Sequence, residues 1–236
     1  MSHEPVRRFY ASATPAEEGG AHIVRLDQRT LRTPAGKPLR LPTQALARSV
    51  AAEWEAQGEL IAPSTMPITR FAFAAIDLMP HKCAEIARDL AKYIETDLVA
   101  HRAEAPPPLV RRQAELWDPI VAWAEQRLHM RVPVVTGVVP AEVPARRRSV
   151  LEREIDALDD FRALALAQAV TLAGSILIGL AFLEGELDAE AAFAAAALDE
   201  LWSLENWGED AEARARLEGQ RAEWVALRRF VRALGE

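Results

Sequence analysis

A single cysteine, Cys83, stands in 236 residues, so no disulfide can form within the chain and a reducing compartment is expected. Phosphate-cradling glycine loops are lacking too. Gly19-Gly20 leads into a strand-like run, and Gly36-Lys37 has neither the upstream glycine nor the following Ser or Thr, so no nucleotide loop is supported. The five histidines, His3, His22, His81, His101 and His129, include no pair at the three- or four-residue spacing that sets two ligands on one helix face, and no metal or cofactor is expected. An excess of positive charge is also missing. A net charge of -7 offers no broad attraction to nucleic acid or anionic lipid, leaving Arg7-Arg8, Arg111-Arg112 and Arg146-Arg147-Arg148 as local basic clusters. The opening MSHEPVRRFY has no apolar stretch fit for a secretory signal and is short for an amphipathic transit peptide, so a bacterial cytoplasm is expected.

Long hydrophobic runs are almost absent. The exception is LALAQAVTLAGSILIGLAFL, Leu164 to Leu183, which is uncharged and about the length of a bilayer span. Gln168, Thr171 and Ser175 recur on one helical side of it, and Glu184 and Glu186 follow, which favours a buried helix over stable membrane insertion.

What is present is the balance of an ordinary folded protein, 50% hydrophobic and 27% charged. The expected class is α+β, with a small α/β domain over residues 1–80 that holds an antiparallel sheet and a mainly helical client-binding domain over 81–236. RRFYAS, HIVRLD, TLRT and PLRL read as strands, with PAEEGG as a linker. Thr43 then caps a helix whose Leu46, Val50 and Trp54 recur every four residues before Gly58. Helices are expected at about 67–79, 82–98, 109–129, 144–161, 163–184, 188–206 and 209–233. Pro119 should kink the third of these or start a new one, Pro106-Pro107-Pro108 reads as a stiff connector, and Pro140 to Pro144 as a linker. The strand-like run VPVVTGVV, residues 132–139, is a candidate to return to the first domain's sheet.

Few residues look catalytic. Ser175, in AGSIL, lacks the glycine elbow of a hydrolase and reads as a core serine bonding its own helix. Cys83 has no activating base beside it. Asp97 and His101, in TDLVAHR, are spaced so that a carboxylate could orient an imidazole, but no nucleophile accompanies them and a local structural contact is the plainer reading.

The remaining candidate is LDELWSLENWGEDAEA, Leu198 to Ala213, with six acidic residues, two tryptophans and no basic residue. Glu200 and Glu205 could divide acid and base roles if burial separated their pKa values, and a small-molecule enzyme using an acidic cleft is the alternative reading. On a helix from Asp188 to about Glu205, however, Phe193, Ala197, Leu201 and Leu204 form the apolar stripe, which leaves the carboxylates partly wet. Glu209, Asp210 and Glu212 suit the start of the next helix. Trp202 and Trp207 are either core anchors or exposed recognition residues.

Taken in order, RFY, LDQRTLRTPAGKPLRLPT, AAEWEAQGELIAPSTMPITR, TDL with HRAE, RQAELWDPIVAW, GSILIGLA and LDELWSLENWGEDAEA resemble the F-type ATP synthase assembly chaperones that act on the α subunit of the catalytic head. The resemblance covers nearly the whole chain and implies a small β-containing domain followed by a helical one. It implies a non-enzymatic protein that binds the unassembled α subunit, prevents its aggregation and releases it to the β subunit; apart from the resemblance, a monomer is expected. The family's important C-terminal acidic residue then matches Glu200, with Glu205 and Asp210 as further candidates, and Trp202 and Trp207 beside them as partner-binding residues. Departures from the family pattern are Gln28 at a usual glycine, His101 at a usual tyrosine and Ser203 at a usual glutamine.

Overall fold

A computed structural model describes residues 6–137, 143–208 and 210–235. Residues 138–142, with most of the Pro140 to Pro144 linker and the end of the strand-like run, lie outside that set, as do Glu209 and His3. The architecture is α+β, and the chain divides into two units. One holds residues 1–82, 160–165 and 226–236, and the other residues 83–159 and 166–225.

In the first unit, β1 (Ala13–Glu18), β2 (Ala21–Leu26) and β3 (Arg29–Thr30) form an antiparallel sheet in that order, with Ala13 opposite Leu26 and Glu18 opposite Ala21. PAEEGG is therefore not a linker: Pro15 to Glu18 belong to β1, and Gly19 and Gly20, at φ 59° and 75°, make its turn. Two successive positive φ values match the type I′ hairpin, whose twist suits the flanking strands, and an outer strand tolerates proline because its N–H need not enter a ladder. RRFYAS stays outside this sheet, with Arg7 bridging Leu60 instead. TLRT and PLRL join through the Arg32–Pro38 bridge and the Leu39 N–H to Leu31 carbonyl bond at 3.0 Å, and PLRL meets β2 at the His22–Leu41 bridge, without forming a full strand. The left-handed residue of the next turn is Asp27, at φ 52°, so glutamine at position 28 bears no demand for glycine.

The helix α1 (Gln44–Glu55) packs on β1 and β2 and starts at the expected cap, Thr43, whose hydroxyl accepts the Leu46 N–H at 3.1 Å. Its Leu46, Val50 and Trp54 are buried. α2 (Pro67–Asp77) begins without a side-chain cap from Met66. Glu53 of α1 supplies one: its carboxylate accepts the Ile68 N–H at 2.9 Å and the Thr69 N–H and hydroxyl at 2.7 Å each. Glu53→Gln turns an amide toward donors it cannot accept, and each unmet buried donor costs about 1–3 kcal/mol. We expect a loss of about 2 kcal/mol in urea unfolding, and an unchanged midpoint would remove Glu53 from this role.

In the second unit lie most of α3 (Met79–Lys92), then β4 (His101–Arg102), α4 (Pro107–Leu128), β5 (Val135–Thr136) and α5 (Ala145–Asp156). They are followed by α6 (Asp160–Ala173), α7 (Ile176–Leu183), α8 (Ala189–Ala196), α9 (Leu198–Trp207) and α10 (Ala211–Ala233). Helices α3, α6 and α10 each have residues in both units. Val135–Thr136 pairs in parallel with His101–Arg102, not with the N-terminal sheet to which the sequence pointed. The triple proline is part of a helix: Pro106 is the N-cap of α4, and Pro107 and Pro108 form its first turn, where a missing N–H costs nothing.

The long apolar run is two helices. Gly174 adopts φ 64°, Ser175 caps α7, and among the described residues no helix is long and apolar enough to cross a membrane. Gly179 permits the return of α7 against α6, since a Cβ there would lie 2.8 Å from Val170 Cγ2.

Candidate functional site

The acidic segment and its surroundings lie in the second unit and hang on α4. Trp117, fully buried, donates its indole N–H to the Ala195 carbonyl of α8 at 2.9 Å. Gln113, four residues earlier and also buried, donates to Asp199 Oδ1 at 2.8 Å and accepts the Ala103 N–H at 2.8 Å. Arg112 grips Glu205 with two guanidinium nitrogens, at 2.5 and 3.1 Å. One helix thereby fixes α8 and both ends of α9.

The five residues singled out from the sequence fall in different settings. Glu200, partly exposed, pairs with Arg216 of α10. Glu205 is half exposed, and its hydrogen bond with Arg112 holds its carboxyl below the usual range, so it stays charged. That is the opposite of what a general acid at neutral pH needs. Asp210 accepts the N–H groups of Glu212 and Ala213, at 2.9 and 3.3 Å, and so acts as a cap for α10. Trp202 is partly buried, whereas Trp207 is 83% exposed at the end of α9. A solvated tryptophan beside carboxylates is what a polar-rimmed protein interface contains.

The expected single helix from Asp188 to Glu205 breaks at Ala197, so α8 and α9 are separate. Between them and α10 opens a cleft of about 570 Å3 with Phe193, Leu201, Leu204 and Leu217 as its apolar lining. Glu205, Glu218, Arg214 and Arg221 also line it, with Gly208 next to Trp207. The stripe of Phe193, Leu201 and Leu204 was readable, but as a packing stripe. What was not readable is Leu217 and Glu218 opposite it, or Arg112, Gln113 and Arg216 as the residues that hold the acids. Their partners are up to 93 positions away in the chain.

The other catalytic-looking set is tied into local structure, and its carboxylate does not orient the imidazole. Asp97 is fully buried, and its carboxyl accepts the Ser175 hydroxyl at 2.6 Å and the N–H groups of Val99 and Leu177 at 3.1 Å each. His101 Nδ1 lies 3.0 Å from the backbone carbonyl of Asp97, not from its carboxylate. Ser175, fully buried, also accepts the Ile178 N–H of the helix it caps, as a core serine bonding its own helix should, and through its bond to Asp97 it ties the start of α7 to the turn before β4. Burial pushes the Asp97 carboxyl up to about 6, against the lowering effect of these donors. Among the described residues no group of His, Cys, Asp and Glu could hold a metal ion.

The model of the ATP12 chaperone protein family matches residues 7–125. The chain is 24% identical over 214 residues to the mitochondrial protein atp12 of Schizosaccharomyces pombe, covering 86% of this chain and 74% of that one. The crystal structure of Atp12 from Paracoccus denitrificans superimposes with a TM-score of 0.91 at 42% identity, over 97% of this chain and 98% of that one. A candidate chaperone from Agrobacterium tumefaciens superimposes with a TM-score of 0.90 at 36% identity, over 97% and 86% of the two chains. The family match ends before the acidic segment, whereas the superpositions extend over nearly the whole chain.

Proposed function

Because the chain belongs to the ATP12 chaperone family, which serves assembly of the ATP synthase, we propose that it binds the unassembled α subunit of the catalytic head. In this reading the protein acts in the bacterial cytoplasm as a non-enzymatic chaperone. It covers a surface that the β subunit later covers, which prevents aggregation and couples release to assembly. A subunit that neighbours normally complete exposes apolar area and unpaired polar groups, and masking them calls for a complementary surface and no bond chemistry. The observation that carries the proposal is Trp207, a large apolar side chain left 83% exposed at the end of an acidic helix. Glu200, Glu205, Asp210, Trp202 and Trp207 are the proposed partner-facing residues, with the acids steering approach and the indoles supplying burial.

Purified protein should suppress aggregation of isolated α subunit saturably, and Glu200→Lys should weaken the complex about tenfold. The introduced lysine would also face Arg216 across the former ion pair, so the double variant Glu200→Lys with Arg216→Glu restores the pair while leaving the face less acidic at that point. If the acid contacts the client, the double variant remains weak. Full recovery would show that Glu200 matters only for holding α9 to α10, and no protection by the unaltered protein at any ratio would end the α-subunit reading.

A further inference from the structure

The cleft between α8, α9 and α10 has an incomplete apolar surface. Leu217 is buried, but Phe193, Leu201 and Leu204 remain partly open to solvent on the side facing the cavity. A volume of about 570 Å3 lies within the roughly 300–1,000 Å3 of clefts that bury most of what they bind. Apolar floor with charged rim is the anatomy of an anchor pocket in a protein interface.

The rim charges are not equally committed. Arg221 is turned onto Glu190 of α8, its Nε 2.8 Å from the carboxylate, and Glu205 is gripped by Arg112. Glu218, exposed on α10 and one residue beyond the buried Leu217, has no hydrogen bond or ion pair among the described residues. It is the carboxylate beside the apolar floor that remains open to a new cation. The adjoining segment from Leu198 to Ala213 carries six acids and no base, whereas α10 brings Arg214 and Arg221 to the rim, so the acidic side of the opening is the α9 side.

These features select the occupant. A second copy of the chain meeting this one through the same face would set acidic α9 against acidic α9, which opposes a symmetric contact. A small polar metabolite would find four charged side chains around the opening but, among the described residues, no convergent neutral donors and acceptors on the apolar floor to fix it. An apolar segment carrying a basic residue satisfies both halves: its apolar side chains fill the floor, and its Lys or Arg meets Glu218. We propose that this cleft is the anchor pocket for such a segment of the α subunit, with Trp207 covering the segment where it leaves past Gly208. The proposal rests on the α-subunit reading above and adds to it a defined pocket, a charge rule and two residues, Leu204 and Glu218.

The test titrates isolated α subunit against the full chain and two variants at about 0.1 M and 1 M salt, where the screening length falls from about 10 Å to about 3 Å. Leu204→Trp fills the cleft; Glu218→Arg reverses an exposed charge and leaves the packing alone. Leu204→Trp should weaken binding about tenfold at both salts. Glu218→Arg should weaken it about tenfold at the lower salt and by much less at the higher. Should Leu204→Trp fail to fold, Glu218→Arg with its salt dependence carries the test alone. Wild-type binding matched by folded variants at both salts overturns the pocket and leaves the α-subunit reading standing. No binding by wild type overturns both.

Discussion

Replacing Asp97 with alanine should cost about 4 kcal/mol near pH 5, since it strips the acceptor from three buried donors, and unmet buried donors cost about 1–3 kcal/mol each with partial relaxation. Those donors are the Ser175 hydroxyl and the backbone N–H groups of Val99 and Leu177, and they join the turn before β4 to the first turn of α7. The pH dependence has a definite sign. Burial raises the folded-state pKa to about 6, above the unfolded value, so the folded chain holds its proton more tightly. The stability from that proton is complete below about pH 4 and is lost as pH rises through 6, an effect of about 3 kcal/mol. The gap between wild type and Asp97→Ala should therefore be widest near pH 4 and narrow toward pH 8, as read by urea unfolding at each pH. A gap that widens with pH would mean that the three donors hold the carboxyl charged and that burial is not the governing cause.

Asp97 also marks where a sequence stops being legible. TDLVAHR suggests an Asp–His pair because the two are close in the chain, but the partner that decides the role of Asp97 is Ser175, 78 positions away. Local chemistry was readable where it closed on itself. Thr43 caps α1 as expected, and Leu46, Val50 and Trp54 face inward because period and cap agree. Local rules failed where packing outweighed them. Pro15 and two glutamates argue against a strand, but β1 is an outer strand with a mostly exposed pattern, for which β propensity matters little. Pro119 argues for a break, but α4 continues from Pro107 to Leu128. The bond Pro119 cannot make would go to the carbonyl of Glu115, and both residues are exposed, so water can take that acceptor. The apolar run that resembled a span hid its break in Gly174-Ser175, a left-handed residue followed by a cap. The candidate site shows the same division. Its acids and tryptophans are contiguous and easily noticed, but the cleft exists only because α10 places Leu217 and Glu218 opposite α9.

Trp117→Ala should be among the most damaging single changes in the second unit, because Trp117 combines full burial with three kinds of contact. Its ring lies in the core, its N–H holds the Ala195 carbonyl of α8, and the Arg102 guanidinium lies 5.3 Å from its ring centre. Truncating a buried tryptophan costs about 3–5 kcal/mol through lost burial and the cavity left behind. Trp117→Phe separates these effects: it keeps much of the volume but removes the donor, leaving the Ala195 carbonyl without that partner, for about 1–2 kcal/mol. The two variants also test whether α4 positions the cleft. With the bond to Ala195 gone, α8 and the Phe193 wall should open more often, so amide exchange in α8 and the start of α9 should accelerate in folded Trp117→Phe. If the proposed function holds, binding of the α subunit should also weaken without any change to a cleft-lining residue. Exchange in α8 that matches wild type, in a variant that has lost the expected stability, would assign Trp117 to the general core and leave Gln113 and Arg112 as the residues of α4 that position the candidate site.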